Sequence, residues 1–296
     1  MSSVAIIYHR ADYDGLFSGA VAALAHSQKS YSLIGWDYGD YVPALPADCS
    51  EIVMLDICIP EFMEDPRLTW IDHHKSSITK HGSHKGVQQV GTSACVLAWR
   101  YYFPNRPLPE VLRLVGKYDV WDLCEDSVNL QYGLTAGGIS STLQAFELLK
   151  TDAESPEQGA VSDLIELGEG AKKWHNAFVA KNEESAYIVD FEGLTFQSIC
   201  SAHARGSQWI PLRESVSALM AVRVTGDNMV DVSLYHAPGS QSIDLSKIAV
   251  KHGGGGHPGA CGFRIDKVAA LQLGLLGSWS KIGEAMVGVA VKTRCV

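Results

Sequence analysis

Carboxylates and imidazoles gather at the ends of apolar segments in this chain. Val4-Ala5-Ile6-Ile7-Tyr8 runs into His9-Arg10-Ala11-Asp12-Tyr13-Asp14-Gly15, Ile52-Val53-Met54-Leu55 ends in Asp56, and Leu68-Thr69-Trp70-Ile71 ends in Asp72-His73-His74. A further group, Lys117-Tyr118-Asp119, follows a helical pattern. In open α/β sheets the C-terminal strand edge is where ligands bind. Oxygen and nitrogen donors without thiolates suit divalent cations such as Mn²⁺ or Mg²⁺. Brought together, Asp12, Asp14, Asp56 and Asp119 would repel by roughly 4 kcal/mol per pair at about 4 Å and an effective dielectric near 20. Something positive has to fill such a pocket. A carboxylate on an adjacent strand end, as Asp56 is, suits a bridge between two ions roughly 3.5–4 Å apart. The pattern points to two-metal hydrolysis.

Each group also has a plainer reading. Asp12 and Asp14 are good helix caps for the segment from Leu16, and Asp56 is a common turn former. Asp72 can orient an imidazole as a partner behind a ligand, and successive side chains after a strand diverge, so His73 and His74 face different ways. Of Asp119 and Asp122, Asp119 is favoured as the ligand, with Asp122 supporting or structural. The ordered recurrence, rather than any one residue, favours a metal pocket.

Strand and helix must alternate to bring these residues together. Strands are expected at Val4–Tyr8, Tyr31–Trp36, Glu51–Asp56 and Leu68–Asp72, and helices at Leu16–His26, Thr92–Tyr102, Pro109–Tyr118 and Ser141–Lys150. This alternation predicts an α/β domain with a mostly parallel sheet and helices on both faces. A long charged helical segment from Gly159 to about Tyr187 reads as a connector. Beyond it, Leu194–Cys200, Val216–Val224, Met229–Tyr235 and Gly259–Ile265 read as strands. Leu245–Lys251 reads as a helix, and a final helix is expected over Asp266–Met286. The boundaries expected are a catalytic domain over 1–135, a helical linker over 136–187 and a smaller mixed-sheet α/β domain over 188–296.

The 296 residues, 46% hydrophobic and 19% charged, have room for two cores. No apolar run approaches the roughly 20 residues of a membrane span, and Val4–Tyr8 is too short for a signal-peptide core. Seven scattered cysteines without a C-x-x-C pair read as reduced thiols in a cytoplasmic protein. A formal net charge of −9 argues against a partner as long as DNA or polymeric RNA, which demands a basic stripe.

Gly253-Gly254-Gly255-Gly256 precedes His257-Pro258-Gly259. Consecutive glycines leave backbone N–H groups unobstructed, which suits the edge of a phosphate or nucleotide. The ordered set His9-x-x-Asp12-x-Asp14, Asp56, Asp72-His73-His74, Asp119 and Gly253–His257 resembles the DHH phosphoesterase superfamily with its DHH-associated C-terminal domain. The likeness spans most of the chain.

That resemblance implies a parallel-sheet domain, a helical linker and a smaller mixed-sheet domain, with the active site between. It implies one metal on His9, Asp12 and Asp56, and a second on Asp14, the bridging Asp56, His73 and Asp119. His74 would contact the scissile phosphate with Asp72 behind it. Gly254, Gly255, Gly256 and His257 would hold the substrate's other end. It further implies two Mn²⁺ ions, with Mg²⁺ as the alternative, and a homodimer by analogy only.

There are two departures. His9 and Asp12 are three residues apart where several members have four, and Ser233-Leu234-Tyr235-His236 stands where many carry an arginine. Terminal-phosphate recognition is therefore assigned to His236, Tyr235 or Arg205. The expected activity is hydrolysis of short oligonucleotides or linear dinucleotides such as pGpG to mononucleotides. The rivals are a cyclic-dinucleotide phosphodiesterase, a 3′-phosphoadenosine-phosphate phosphatase, a single-strand exonuclease, a manganese pyrophosphatase and, in another class, an inactive nucleotide-binding module.

Overall fold

The computed structural model describes residues 3–180, 186–200, 216–236 and 242–277. The chain divides into two compact units, Met1–Trp174 and His175–Val296. The boundary falls inside the segment expected as linker.

The first unit is built on β1 (Ser3–His9), β2 (Ser30–Trp36), β3 (Cys49–Leu55), β4 (Leu68–Asp72) and β5 (Gly86–Gln88), in the order β2-β1-β3-β4-β5. Every pairing is parallel. Val4–Ile7 and Ile52–Leu55 are buried without interruption, as strands covered on both faces must be. The helices are α1 (Tyr13–Ala25), α2 (Lys75–His81), α3 (Ala94–Tyr102), α4 (Glu110–Asp119), α5 (Glu125–Ala136), α6 (Thr142–Glu154) and α7 (Ala160–Ala180). Val4, Ile6, Val53, Leu55 and Ile71 form one core with α1, α3, α4 and α6. Ala5, Ile7, Met54 and Trp70 form the other with Ile57, Ile59, Phe62 and Met63, and with Ile78 of α2. The second face is thus covered mainly by the chain after β3, where Trp70 Nε1 donates to the Ile57 carbonyl at 2.9 Å.

The chain leaves β1 for β2 on one side and reaches β3 on the other. Strand order therefore reverses between β1 and β3, and this switch point opens a crevice at their C-terminal ends. Helix α4 delivers Asp119 from its last position. The opposite end of α4 is capped by the buried Asp152 of α6, whose Oδ2 accepts the Val111 N–H at 2.9 Å.

The second unit carries β6 (Tyr187–Phe191), β7 (Leu194–Cys200), β8 (Ala218–Val224), β9 (Met229–His236), β10 (Gly255–His257) and β11 (Ala260–Asp266), in the order β10-β11-β9-β8-β7-β6. Only β7 and β8 run parallel, so the sheet is mixed. Val230, Val232 and Leu234 alternate inward along β9. They meet Met220, Phe196 and Phe263 beneath α8 (Ser246–Lys251) and α9 (Lys267–Gln272).

Three expectations need correction. Tyr187 opens β6 rather than closing the long helix, whose described part ends at Ala180. The final helix stops at Gln272, because Gly274 at φ 71° ends it and Leu275 N–H closes on the Ala270 carbonyl at 3.0 Å. Of the residues assigned to that helix, 278–286 lie outside the described ones, as does Arg205. Helices α2 and α5 and strands β5, β6 and β10 were not anticipated. The glycine run ends one helix and begins a strand. No described helix is long and apolar enough to cross a membrane.

Candidate metal centre

His9 is the last residue of β1 and Asp12 the N-cap of α1. Asp12 does cap, its Oδ1 accepting the Gly15 N–H at 2.9 Å. Its second oxygen lies 2.9 Å from His9 Nδ1, so the cap and the donor role coexist in one carboxylate. Gly15 is required because a Cβ there would sit 1.9 Å from the His9 carbonyl oxygen. Helix α1 could not start so close to the strand with any other residue.

Asp14, one position into α1, is buried. Both its oxygens accept backbone N–H groups at the start of α3, from Ala94 at 2.7 Å and Cys95 at 2.9 Å. The positive end of α3 thereby favours a charged carboxylate at that point.

Asp56 follows β3 with φ 59°, a left-handed conformation that aspartate tolerates better than most residues. The bend turns its buried carboxylate between two imidazoles: Oδ1 lies 3.1 Å from His73 Nε2, and Oδ2 lies 3.5 Å from His9 Nδ1. Asp72 ends β4 at full burial and folds the next residues around itself. Its Oδ1 accepts the His73 N–H at 2.7 Å and the His74 N–H at 3.1 Å, and lies 2.7 Å from His74 Nδ1. His73 Nε2 also stands 3.6 Å from Asp14 and 3.4 Å from Asp119. Asp122, by contrast, is solvent-facing and pairs with Lys117.

The donor atoms fall into close groups: His9, Asp12 and Asp56 form one, Asp14, His73 and Asp119 another, and Asp56, Asp72 and His74 a third, each within 4.8 Å. Electrostatics shows what such crowding costs. Burial, then the neighbouring Asp56 charge, raises Asp14 to about 7. Burial, then Asp14 and Asp56, holds Asp119 well above the carboxylate range. Burial also disfavours charge on Asp56, but the neighbouring imidazoles of His73 and His9 outweigh it and hold that carboxyl low. For His73, burial opposes protonation, yet Asp56 and Asp14 raise the imidazole to about 9. Buried Asp56 Oδ2 and Asp119 Oδ2 have no hydrogen-bond partner among the described residues. Orphaned anionic oxygens beside imidazoles are the donor set a hard or borderline divalent cation takes, so these residues fit a divalent metal.

Sequence reasoning missed Asp37. It directly follows β2, and its Oδ1 lies 3.3 Å from His9 Nε2 while accepting the Tyr38 N–H at 2.7 Å. It therefore holds the imidazole from the side away from Asp12 and Asp56, as carboxylates do behind metal-binding histidines. The strand-end rule that found Asp56 would have found Asp37 too.

In the second unit the glycine run has a structural account. Gly253, at φ 81°, follows the end of α8, and its N–H donates to Val250 O at 3.0 Å while that of Gly254 donates to Ala249 O at 2.8 Å. This paired closure is how glycine terminates a helix. A Cβ on Gly254 would lie 2.0 Å from the Gly262 carbonyl oxygen. Gly255, Gly256 and His257 pair with Gly262, Cys261 and Ala260. His236 is absorbed as well: its N–H donates to Gly259 O at 2.9 Å and its Nε2 contacts the Ile243 carbonyl. Tyr235 packs beside Ala186, Ile199 and Ala221.

No family model and no curated protein matches the chain. Solved structures do. The chain is similar to the pGpG-specific phosphodiesterase PggH from Vibrio cholerae, with a TM-score of 0.53 and 15% identity over 97% of this chain and 98% of that one. Exonuclease RecJ bound to manganese aligns at a TM-score of 0.45 and 13% identity, over 92% and 88% of the two chains. An exopolyphosphatase-related protein from Bacteroides fragilis aligns at 0.44 and 14%, over 88% and 86%. The whole-chain alignment with PggH shows that the parallel-sheet unit followed by a mixed-sheet unit is a fold this chain has in common with it.

Proposed function

We propose that this DHH-superfamily chain is a divalent-metal-dependent phosphodiesterase that hydrolyses short oligonucleotides or linear dinucleotides such as pGpG to mononucleotides. The observation that carries the reading is the sharing of Asp56 between the imidazoles of His9 and His73, each the centre of its own donor group. His9, Asp12 and Asp56 would hold one cation, and Asp14, Asp56, His73 and Asp119 the other. Mn²⁺ is the proposed ion at both. Bound there, the cations supply an acidified water and neutralise charge on the phosphoryl oxygens.

The chain's own groups do the rest. Asp72 fixes the His74 ring through Nδ1. Burial opposes protonation of His74, but its bond to Asp72 and the Asp56 charge raise it to about 9. We assign His74 to donate a hydrogen bond to a non-bridging phosphoryl oxygen as charge develops there. Asp37 steadies His9. In the second unit, with Gly254 and His236 engaged in the fold, the proposed substrate contacts are Gly255, Gly256, His257, Tyr235 and Arg205. The net charge of −9 supports a short substrate over a polymer. An inactive binding module would be expected to have lost donors, and the set is intact.

The test is one Mn²⁺ assay across pGpG, pApA, longer RNA, cyclic dinucleotides, 3′-phosphoadenosine phosphate and pyrophosphate. Linear dinucleotides should be converted to mononucleotides fastest. Faster turnover of a cyclic dinucleotide or of the phosphatase substrate would replace the proposed substrate class, and no turnover of anything would remove the enzymatic reading.

A further inference from the structure

Beside the donor cluster, the turn after β2 carries an aromatic side chain that the chemistry above leaves unused. Tyr38 is 57% exposed, yet its ring is held from two directions. It stands edge-on to Trp36 at 5.5 Å and edge-on to the imidazole of His9 at 6.1 Å between ring centroids. The turn beneath it is tied down throughout. Trp36 Nε1 donates to the Tyr41 carbonyl at 3.0 Å, Tyr38 N–H to Asp37 Oδ1 at 2.7 Å, and Asp37 N–H to Asp40 Oδ2 at 2.9 Å. Arg10, the residue after β1, pairs with Asp40 and fastens the turn to the strand that ends in His9.

A large aromatic surface held open to solvent does nothing for the core. Tyr38 is absent from the hydrophobic clusters that bury the sheet. A ring already immobilised loses little further freedom when something stacks on it. Its neighbour is a proposed metal donor, so the chemistry that can reach the ring belongs to whatever carries the reacting phosphate. In a nucleotide that partner is the base, and a base presents a π-face whatever its identity.

We propose that Tyr38 is the nucleobase platform of this site. The base joined to the nucleotide whose phosphate meets the donors of His9, Asp12 and Asp56 stacks on the open side of the ring. This rests on the phosphodiesterase reading and narrows it to substrates carrying a base within one nucleotide of the scissile phosphate. Because stacking tolerates any base, discrimination among bases through Tyr38 is shallow.

The experiment compares the full-length wild type with Tyr38→Ala, Tyr38→Phe and Tyr38→Trp under Mn²⁺. The substrates are pGpG and two analogues lacking one base or the other. Tyr38→Ala should raise KM for pGpG about 5- to 150-fold, the range that about 1–3 kcal/mol per stacked base represents, with kcat changed less than about twofold. Tyr38→Phe and Tyr38→Trp should keep the wild-type KM. On the analogue lacking the stacked base, wild type and Tyr38→Ala should coincide. Equal KM for wild type and Tyr38→Ala on pGpG overturns the platform while leaving the phosphodiesterase intact. So does Tyr38→Phe behaving like Tyr38→Ala, which would hand the contact to the hydroxyl. A wild type that cleaves neither pGpG nor its analogues overturns both the reading and the platform.

Discussion

The two sequence motifs that stand out, the carboxylate-imidazole set of the first unit and the glycine run of the second, have opposite relations to the fold. Every glycine contact described above serves the chain itself: Gly253 stops α8, and Gly254 admits the neighbouring strand. The carboxylates do the reverse. Asp56 is buried in a left-handed bend, leaves one oxygen without a hydrogen bond, and crowds other acids. The cost of that crowding falls on Asp14 and Asp119, both held above the carboxylate range by burial and neighbouring charge, and a bound cation would offset it. A motif with an account in packing says less about chemistry than one that packing cannot explain.

The sharpest way to break this contrast is Asp56→Asn. Asparagine tolerates the same backbone and keeps nearly the same shape, so the fold should persist while metal affinity and turnover collapse. Turnover should fall on the order of 10³-fold, comparable with losing one strong stabiliser of transition-state charge. In thermal melts, wild type with Mn²⁺ at 100 times its Kd should gain about 2.7 kcal/mol, and the variant should gain almost nothing. An unchanged response to Mn²⁺ would return Asp56 to the structural side of the comparison.

Asp37→Asn tests how far the chemical region extends. It should weaken Mn²⁺ binding about 10- to 100-fold, as loss of a carboxylate behind a metal-binding histidine does. Calorimetric titration of Mn²⁺ into the variant measures this without reference to turnover. An affinity equal to that of wild type would confine the site to the strand-end donors first identified.

Gly253→Ala should give the smallest effect, and of the other kind. Placing a Cβ at φ 81° costs about 1–2 kcal/mol of stability, visible as a lower denaturation midpoint, with Mn²⁺ affinity unmoved. Loss of turnover in a variant that melts normally would show that the glycine run also serves the substrate.

What the sequence made legible follows the same division. The apolar runs before His9, Asp56 and Asp72 read as buried strands because their burial is continuous, and the parallel sheet followed from their alternation with helices. Asp119 was separable from Asp122 only by preference, since the last turn of a helix sweeps its residues around the axis and one residue decides which faces inward. Asp37 was passed over because Asp-Tyr-Gly-Asp reads as turn chemistry. In the structure it serves both purposes, accepting from Tyr38 N–H and meeting His9.

The glycines were legible only in part. Four in a row announce that backbone must come close to something, and for Gly254 that something is the Gly262 carbonyl of the next strand, which only a three-dimensional partner identifies. The final helix was drawn too long because Leu271, Leu273, Leu275 and Leu276 continue an apolar pattern straight through Gly274, the residue that ends it.

Helix α4 works as a gauge rod. Asp152 grips one end by taking the Val111 N–H, and Asp119 is the tip at the other, about 12 Å further along at 1.5 Å per residue. Because a helix slides along its axis more readily than it stretches, the placement of the tip is settled where the rod is clamped. A change at Asp152, remote from every proposed ligand, would therefore surface first as a displaced Asp119 carboxylate at the position proposed for the second cation, and a screen confined to the neighbourhood of the cluster would pass over it.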